Sequence, residues 1–418
     1  MACSMMQSST EPAVKPVVIL GAGFSRAISA CMPVMIELRD RVLEELEIPL
    51  SQLDPFSGDL EVWLSALSIE QPWHDPIEVL QQRELLLSAT QTINKAILAS
   101  EHQVIGSDPP SWLLRLVAHW AATETTVLTF NYDQLVERAL SHLRITFSAV
   151  DLYRGPITTR GIQGGLSVGS SGPPGPVPAV MKLHGSTNWA YNPRVPEAPL
   201  IITDQYPVWA APNPTLSSGY RNIGIYDDLE PLIVPPTGSK GAYYSGASLR
   251  VQWSRAAASL RNASSVTIMG YSFPQTDFTS RLFATQIPEA TPVEVVDLSE
   301  EMSSRIHEFL PRHTVTQNYH GTDAIQNFVD RTCPDLYIGH RGGTDLEGKS
   351  FPPCVLKNGE TVFVEEQPTQ HPVPSVIAYA SNVVGQTIDP TISNHTKLDH
   401  GDFWNFNPFT LLAERREN

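Results

Sequence analysis

The chain has 418 residues, 28 of them basic and 44 acidic, for a formal net charge of −16. That balance argues against broad, non-specific nucleic-acid binding, which relies on neutralising phosphates. With 41% hydrophobic residues and no apolar run near the roughly 20 that span a bilayer, a soluble, cytoplasmic protein without a membrane partner is expected. The cysteines Cys3, Cys31, Cys333 and Cys354 form no CxxC pair, so a zinc ribbon cannot be built and no disulfide framework is expected.

Met1 to Pro12 holds no basic residue and no signal-like apolar run, so residues 1–15 read as a flexible N-terminus. Val17-Val18-Ile19-Leu20 then reads as a strand buried on both faces of a parallel sheet, followed by the glycine turn Gly21-Ala22-Gly23-Phe24-Ser25 and a helix over 31–46. A strand, a glycine turn and a helix N-terminus make an anion site, with backbone N–H groups and the helix dipole facing a phosphate. Over 51–103, Leu60, Trp63, Leu64 and Leu67 recur at helical spacing and open a helical insertion whose apolar stripe is core.

A helix over 111–119 leads to the strand Val127-Leu128-Thr129-Phe130, then Asn131-Tyr132-Asp133 and a helix over 134–143. Residues 154–178 are rich in Gly, Pro, Ser and Thr and are expected to be irregular. A third strand over 179–185 ends in polar residues, loops with short strands follow over 191–222, and Leu232-Ile233-Val234 runs into Gly238-Ser239-Lys240. Then come a helix over 247–263, strands over 265–269 and 293–297, a helix over 299–310, an edge strand over 315–319 and a helix over 322–329. Such alternation implies an α/β fold with a doubly wound, Rossmann-like parallel sheet. The expected domains are a catalytic domain over 16–330, carrying the helical insertion at 51–103, and a mostly β accessory region over 331–418 for assembly or partner docking.

In open α/β sheets ligands bind beyond the carboxyl ends of the strands. Four strand ends here are polar or glycine-rich: Gly21 to Ser25, Asn131 to Asp133, His184-Gly185-Ser186 and Gly270-Tyr271-Ser272-Phe273; Asp297 closes a fifth. The first does not fit the dehydrogenase fingerprint, because Arg26 holds the third glycine position and no strand-end acid follows at the usual distance. No GxxxxGK[ST] occurs, so a P-loop is excluded; at Lys240 a serine separates glycine from lysine.

Taken together, Gly21-Ala22-Gly23-Phe24-Ser25, Thr129-Phe130-Asn131-Tyr132-Asp133, Lys182-Leu183-His184-Gly185-Ser186 with Trp189, and Gly270-Tyr271-Ser272-Phe273-Pro274 with Thr276-Asp277 resemble the sirtuins. The resemblance spans about 17–329 and is closer to the sirtuin-like NAD-hydrolysing proteins of prokaryotic antiphage defence. It implies that Gly21, Ala22, Gly23, Phe24 and Ser25 hold the NAD pyrophosphate. It places Thr129, Asn131 and Asp133 at the nicotinamide ribose, makes His184 the catalytic histidine, and sets Gly270, Tyr271, Ser272, Phe273 and Asp297 around the adenosine half. Asp133 reads equally as an N-cap of the next helix, and Phe24 and Phe273 as site walls or as core.

The Pro-Asp-Phe-Arg segment and four-cysteine zinc module of protein-deacylating sirtuins are absent from the sequence. The implied activity is therefore NAD glycohydrolysis, with NAD as substrate, no zinc, and Asn131, His184 and Asp133 in catalysis. The family further implies antiphage defence by NAD depletion, restraint by assembly as a homo-oligomer, and pairing with a ring-shaped ATPase translocase. The alternatives are an NAD- or ADP-ribose-sensing scaffold and an NAD-dependent deacylase.

Overall fold

The computed structural model describes residues 14–143, 145, 152–153, 178–191, 200–203, 207, 209, 230–238, 240, 244 and 246–333. It also describes the short strands Ile157–Arg160, Leu166–Gly169, Leu336–Ile338, Gly343–Thr344, Ser350–Phe351, Cys354–Lys357, Glu360–Phe363, Trp404–Asn407 and Leu412–Arg415.

Strand β1, Lys15–Leu20, carries four consecutive aliphatic side chains, each 2% exposed or less, as a strand covered on both faces must. Its neighbours on one side are β2 (Thr126–Thr129) and then β3 (Val180–Lys182); on the other lie β4 (Ala263–Met269), β5 (Val293–Asp297) and β6 (Val315–His320). Among the described residues these six form one parallel sheet in the order β3-β2-β1-β4-β5-β6. Alternation along β1 divides two cores: Val18 and Leu20 join one, while Val17 and Ile19 join the other. The edge strand β6 alternates between half-buried and exposed residues.

Helix α2 (Met35–Glu45) is the helix expected over 31–46 with a later start, and α1 (Ala22–Ile28) forms before it, where a glycine turn is expected. Pro33 explains the break between the two, since it cannot continue a helix and holds Met32 away from helical geometry. Arg26 secures the link: its Nη1 donates to Ala30 O (2.7 Å), Met32 O (3.0 Å) and Glu37 Oε2 (2.9 Å). The insertion consists of a 3₁₀ segment, Leu50–Phe56, with α3 (Leu60–Leu67) and α4 (Pro76–Val104). Asp75 starts α4 in a capping box with Glu78, and Pro76 stands at its first position. Helices α5 (Ser111–Ala122) and α6 (Leu135–His142) flank β2, and α7 (Ala247–Arg261), α8 (Phe278–Ala284), α9 (Met302–His307) and α10 (Ala324–Thr332) complete the alternation.

A second, smaller sheet has the order Leu166–Gly169, Ile157–Arg160, Leu200–Ile202, Gly185–Tyr191, Glu230–Ile233. This corrects the irregular course expected over 154–178, because Ile157–Arg160 and Leu166–Gly169 pair antiparallel with Thr158 opposite Val168. Ile, Thr and Val suit a pleated surface even without a clean period. The rest of that stretch lies outside the described residues, apart from Pro178. Leu183 and His184 are the entire link between β3 and the strand Gly185–Tyr191, so His184 stands where the chain passes from one sheet to the other. Beyond 331, five strands form an antiparallel sheet in the order Glu360–Phe363, Cys354–Lys357, Leu336–Ile338, Leu412–Arg415, Trp404–Asn407. No helix among the described residues is long and apolar enough to cross a membrane.

Candidate functional site

The sheet order reverses between β1 and β4, and the crevice at such a switch point is where doubly wound sheets bind ligands. The loops leaving β1 and β4 touch there. Gly21 N–H donates to Met269 O at 3.1 Å and Gly23 N–H to Gly270 O at 2.9 Å. A methyl group on Gly21 would lie 2.5 Å from the Tyr271 ring and 2.6 Å from Gly270 O; one on Gly270, at φ +59°, would overlap the Phe24 nitrogen. The glycines thus serve a backbone-to-backbone approach of two loops. The Gly21 and Gly23 N–H groups are thus donated within the chain. Phe273 carries φ +46°, a conformation that strains a bulky side chain, and Arg281 Nε holds its carbonyl at 3.0 Å.

Three polar side chains connect the β1 and β2 exits. Asn131 Nδ2 donates to Gly21 O and to Ser25 Oγ, both at 2.8 Å. Ser25 Oγ, accepting from Asn131, donates its own hydrogen to Asp133 Oδ2 at 2.6 Å. A backbone carbonyl only accepts, so the amide orientation of Asn131 is fixed and its Oδ1 is left as the acceptor. Both amide hydrogens of Asn131 are therefore used inside the chain. Asp133 Oδ1 accepts from Leu135 N–H at 3.1 Å, from one residue ahead of the N-cap position held by Gln134. Burial pushes its carboxyl up to about 6, against the pull of Lys182 and the Ser25 hydrogen bond. Thr129 Oγ1 accepts from Asn131 N–H at 3.0 Å and so shapes the same turn.

Behind this turn sits a buried charge network. Lys182 Nζ donates to Tyr132 O (3.3 Å), to Asp133 O and to Glu137 Oε1 (3.1 Å). Arg138 Nε pairs with Glu101 Oε1 of α4 at 2.6 Å, with both side chains fully buried, and Gln134 N–H donates to Glu101 Oε2 at 3.2 Å. Burial pushes Glu101 up against the opposing pull of Arg138.

The third centre is His184. Its ring meets Phe130 edge-on, with centroids 4.9 Å apart, and Tyr132 at 6.4 Å. Phe130 in turn stacks on Tyr271 at 4.2 Å. Lys240 and Asp277 approach His184 Nε2 at 3.3 and 3.5 Å. Burial and then Lys240 pull the imidazole down to about 3 while Asp277 pulls the other way, so the ring is neutral at cell pH. Burial raises the Asp277 carboxyl, but His184, Lys240 and two hydrogen bonds outweigh it and hold the group below its ordinary value. With His184 neutral, Lys240 is the charge that acts on Asp277 at neutral pH.

The structure therefore brings Gly21, Gly23, Ser25, Thr129, Asn131, Asp133 and Gly270 into one hydrogen-bonded unit, and joins Tyr271 to His184 through Phe130 and Asp277. Phe24 faces Trp112 and Trp120 of α5 with ring centroids 6.0 Å away, and Phe273 is fully buried, so both side chains are core. Ala22 and Ser272 are exposed on the rim. Asp297 lies one strand further out, beside Gly270, whose N–H donates to Val296 O; its carboxylate accepts from Ser299 N–H. Sequence reasoning assigned no role to Lys240, Asp277, Glu61, Glu101, Glu137 or Lys182. The signal at hand was a lysine next to no obvious partner and an acid already noted in Thr276-Asp277. Among the described residues, no group of three His, Cys, Asp or Glu side chains is arranged to hold a metal.

No family model matches the sequence, and no curated protein is significantly similar to it. Among solved structures, a Sir2 homologue in complex with NAD matches at 14% identity over 76% of this chain and 88% of that one, with a TM-score of 0.35. A Sir2 homologue mutant in complex with ADP-ribose matches at 15% identity over 76% and 90%, also with a TM-score of 0.35. A Sir2 with a p53 peptide and NAD+ gives 13%, 76%, 91% and 0.34. Likenesses of this size decide nothing about the chemistry at this sheet edge.

Proposed function

We propose that the chain hydrolyses the nicotinamide–ribose bond of NAD, giving nicotinamide and ADP-ribose. The observation that carries this reading is the fixed orientation of Asn131. Its amide hydrogens go to Gly21 O and Ser25 Oγ, which leaves Oδ1 as an acceptor for a ribose hydroxyl or a water at the switch-point edge. The four strand-end motifs stand in the order that sirtuins use, and the missing zinc module favours hydrolysis over deacylation. In the reaction nicotinamide leaves with the electron pair of the C–N bond, water adds to the oxocarbenium-like carbon, and a proton is released. A neutral His184 is a proton acceptor in that step. Restraint by assembly, as a homo-oligomer or with a ring-shaped ATPase translocase, belongs to the same proposal, because unrestrained NAD loss is toxic; so does a role in antiphage defence.

The test is to incubate the purified chain with NAD, alone and with partners, and to quantify nicotinamide and ADP-ribose for wild type, Asn131→Ala and His184→Ala. Turnover is expected in the wild type and is lost in both variants. Turnover indifferent to both substitutions sinks the assignment. Binding without turnover makes the chain a sensor, and release that needs an acylated peptide makes it a deacylase.

A further inference from the structure

Two charged groups with no part in the proposed reaction converge on His184. Lys240 Nζ lies 2.7 Å from Asp277 Oδ2 and 3.3 Å from His184 Nε2, and the Lys240 and Asp277 side chains are 1% and 2% exposed. An ammonium has hydrogens and no lone pair, so the imidazole nitrogen facing it is the acceptor and the ring proton sits on Nδ1. Asp277 is fixed in turn by Tyr271 Oη–H at 2.9 Å and Ser280 N–H at 3.2 Å. Its carboxylate stands 3.5 Å from Nε2, near enough to draw a proton there once the ammonium is gone.

The surrounding titratable groups are Tyr132, with its ring 6.4 Å from the imidazole, Tyr271 on Asp277, Tyr244, which interacts with Asp277 and Tyr132, and Glu61 of α3, which interacts with Lys240 and Asp277. The charges that bear on the ring are those of Lys240 and Asp277.

We propose that Lys240 and Asp277 are positioning residues for His184: the ammonium, anchored on the carboxylate, caps Nε2, sets the Nδ1–H tautomer and offsets the field of Asp277 at the ring. The catalytic consequence rests on the NAD-hydrolase reading; the tautomer and the titration do not. A substrate hydroxyl passes its proton to Nε2 only after displacing the ammonium, so the ligand-free chain keeps its base capped. The downward pull on the imidazole from burial and Lys240, with Asp277 opposing, agrees with this arrangement.

The full chain carrying ¹⁵N-labelled histidine decides the matter by NMR, with the His184 resonance assigned by its loss in His184→Gln. Wild type is expected to show the Nδ1–H tautomer and to stay neutral down to about pH 3. In Lys240→Met the uncompensated Asp277 raises the midpoint by about 1–3 units. Lys240→Arg stays near wild type, and adding Asp277→Asn to Lys240→Met reverses the rise. An Nε2–H tautomer in wild type overturns the proposal, as does a folded Lys240→Met chain whose midpoint has not moved; the tautomer result stands even if that variant fails to fold. If NAD is turned over, the acid limb of kcat/KM moves to higher pH in Lys240→Met. A wild type that releases no nicotinamide counts against the hydrolase reading alone, and the NMR result still judges this one.

Discussion

Replacing Asp133 by Asn tests the electrostatics of the β2 exit directly. Burial raises this carboxyl from 3.8 to about 6. A folded-state pKa above the unfolded one means that the native chain keeps its proton longer. The resulting stability is fully present below the unfolded value and is lost as pH rises through about 6. Two pK units at about 1.4 kcal/mol each set the loss at roughly 3 kcal/mol by neutral pH. Asparagine carries no such dependence but has a fixed cost. Its oxygen takes over the Leu135 N–H, its NH₂ then faces Ser25 Oγ, and the Ser25 hydrogen loses its acceptor, at about 1 kcal/mol. The variant should therefore be about 1 kcal/mol less stable than wild type near pH 4 and roughly 2 kcal/mol more stable at neutral pH. Urea midpoints of both proteins across that range, at matched slopes, measure the difference while the other titrating groups cancel. A constant offset, or a wild type that gains on the variant as pH rises, refutes the reasoning.

Three further substitutions test the close approaches and cross-ties. Gly270→Ala places a methyl group against the Phe24 nitrogen at a positive φ, so a loss of about 3 kcal/mol or more should appear as a large fall in melting temperature. Glu101→Ala removes the carboxylate that accepts from buried Arg138 and from Gln134 N–H, and should cost about 2 kcal/mol or more in urea unfolding. Tyr132→Phe removes the 2.6 Å hydrogen bond to Val234 O that ties the β2 exit to the segment after Glu230–Ile233, and should cost about 1 kcal/mol by the same measurement.

What was legible in the sequence was what local periodicity encodes. Val17 to Leu20 reads as a doubly covered strand and is one, and the remaining strands of the sheet and most helices lie within a few residues of their expected places, whereas α1 falls in the expected glycine turn and α8 has no counterpart in the sequence reading. The glycines were legible as a turn but not in their purpose, because the reason no side chain fits is Gly270, which is distant in sequence. Arg26 looked like a missing glycine; it is the clamp on the α1–α2 link. Lys240 looked like part of a failed phosphate loop. Its partners, Asp277 and His184, come from separate segments, and no linear pattern announces a buried lysine's acid. Asp133 reads as cap or catalyst in the sequence, and the structure gives it a bond from Leu135 N–H, one residue ahead of the N-cap Gln134, and one from Ser25 that spacing alone does not encode.

The charges behind the β2 exit invite a different explanation from stability. Glu137 and Lys182 are 1% exposed or less, and a buried ion costs several kcal/mol in lost hydration that its pair seldom repays in full. What the pair does is mechanical: Lys182 takes the carbonyls of Tyr132 and Asp133, and Glu137 holds Lys182. These bonds fix the segment that aims Asn131. Replacing both charges, Lys182→Met with Glu137→Leu, should then leave unfolding within about 2 kcal/mol of wild type even though the Tyr153 hydroxyl loses its Glu137 acceptor. Lys182→Met alone leaves the Glu137 carboxylate buried without its ammonium, held by the Tyr153 hydroxyl at 2.9 Å, and costs about 3 kcal/mol. Hydrogen exchange in peptides covering 130–134 should accelerate in the double variant while α4 keeps its protection. Unchanged exchange in those peptides would mean that the pair does not hold the segment and that the bonds of Asn131 to Gly21, Ser25 and Thr129 set its aim.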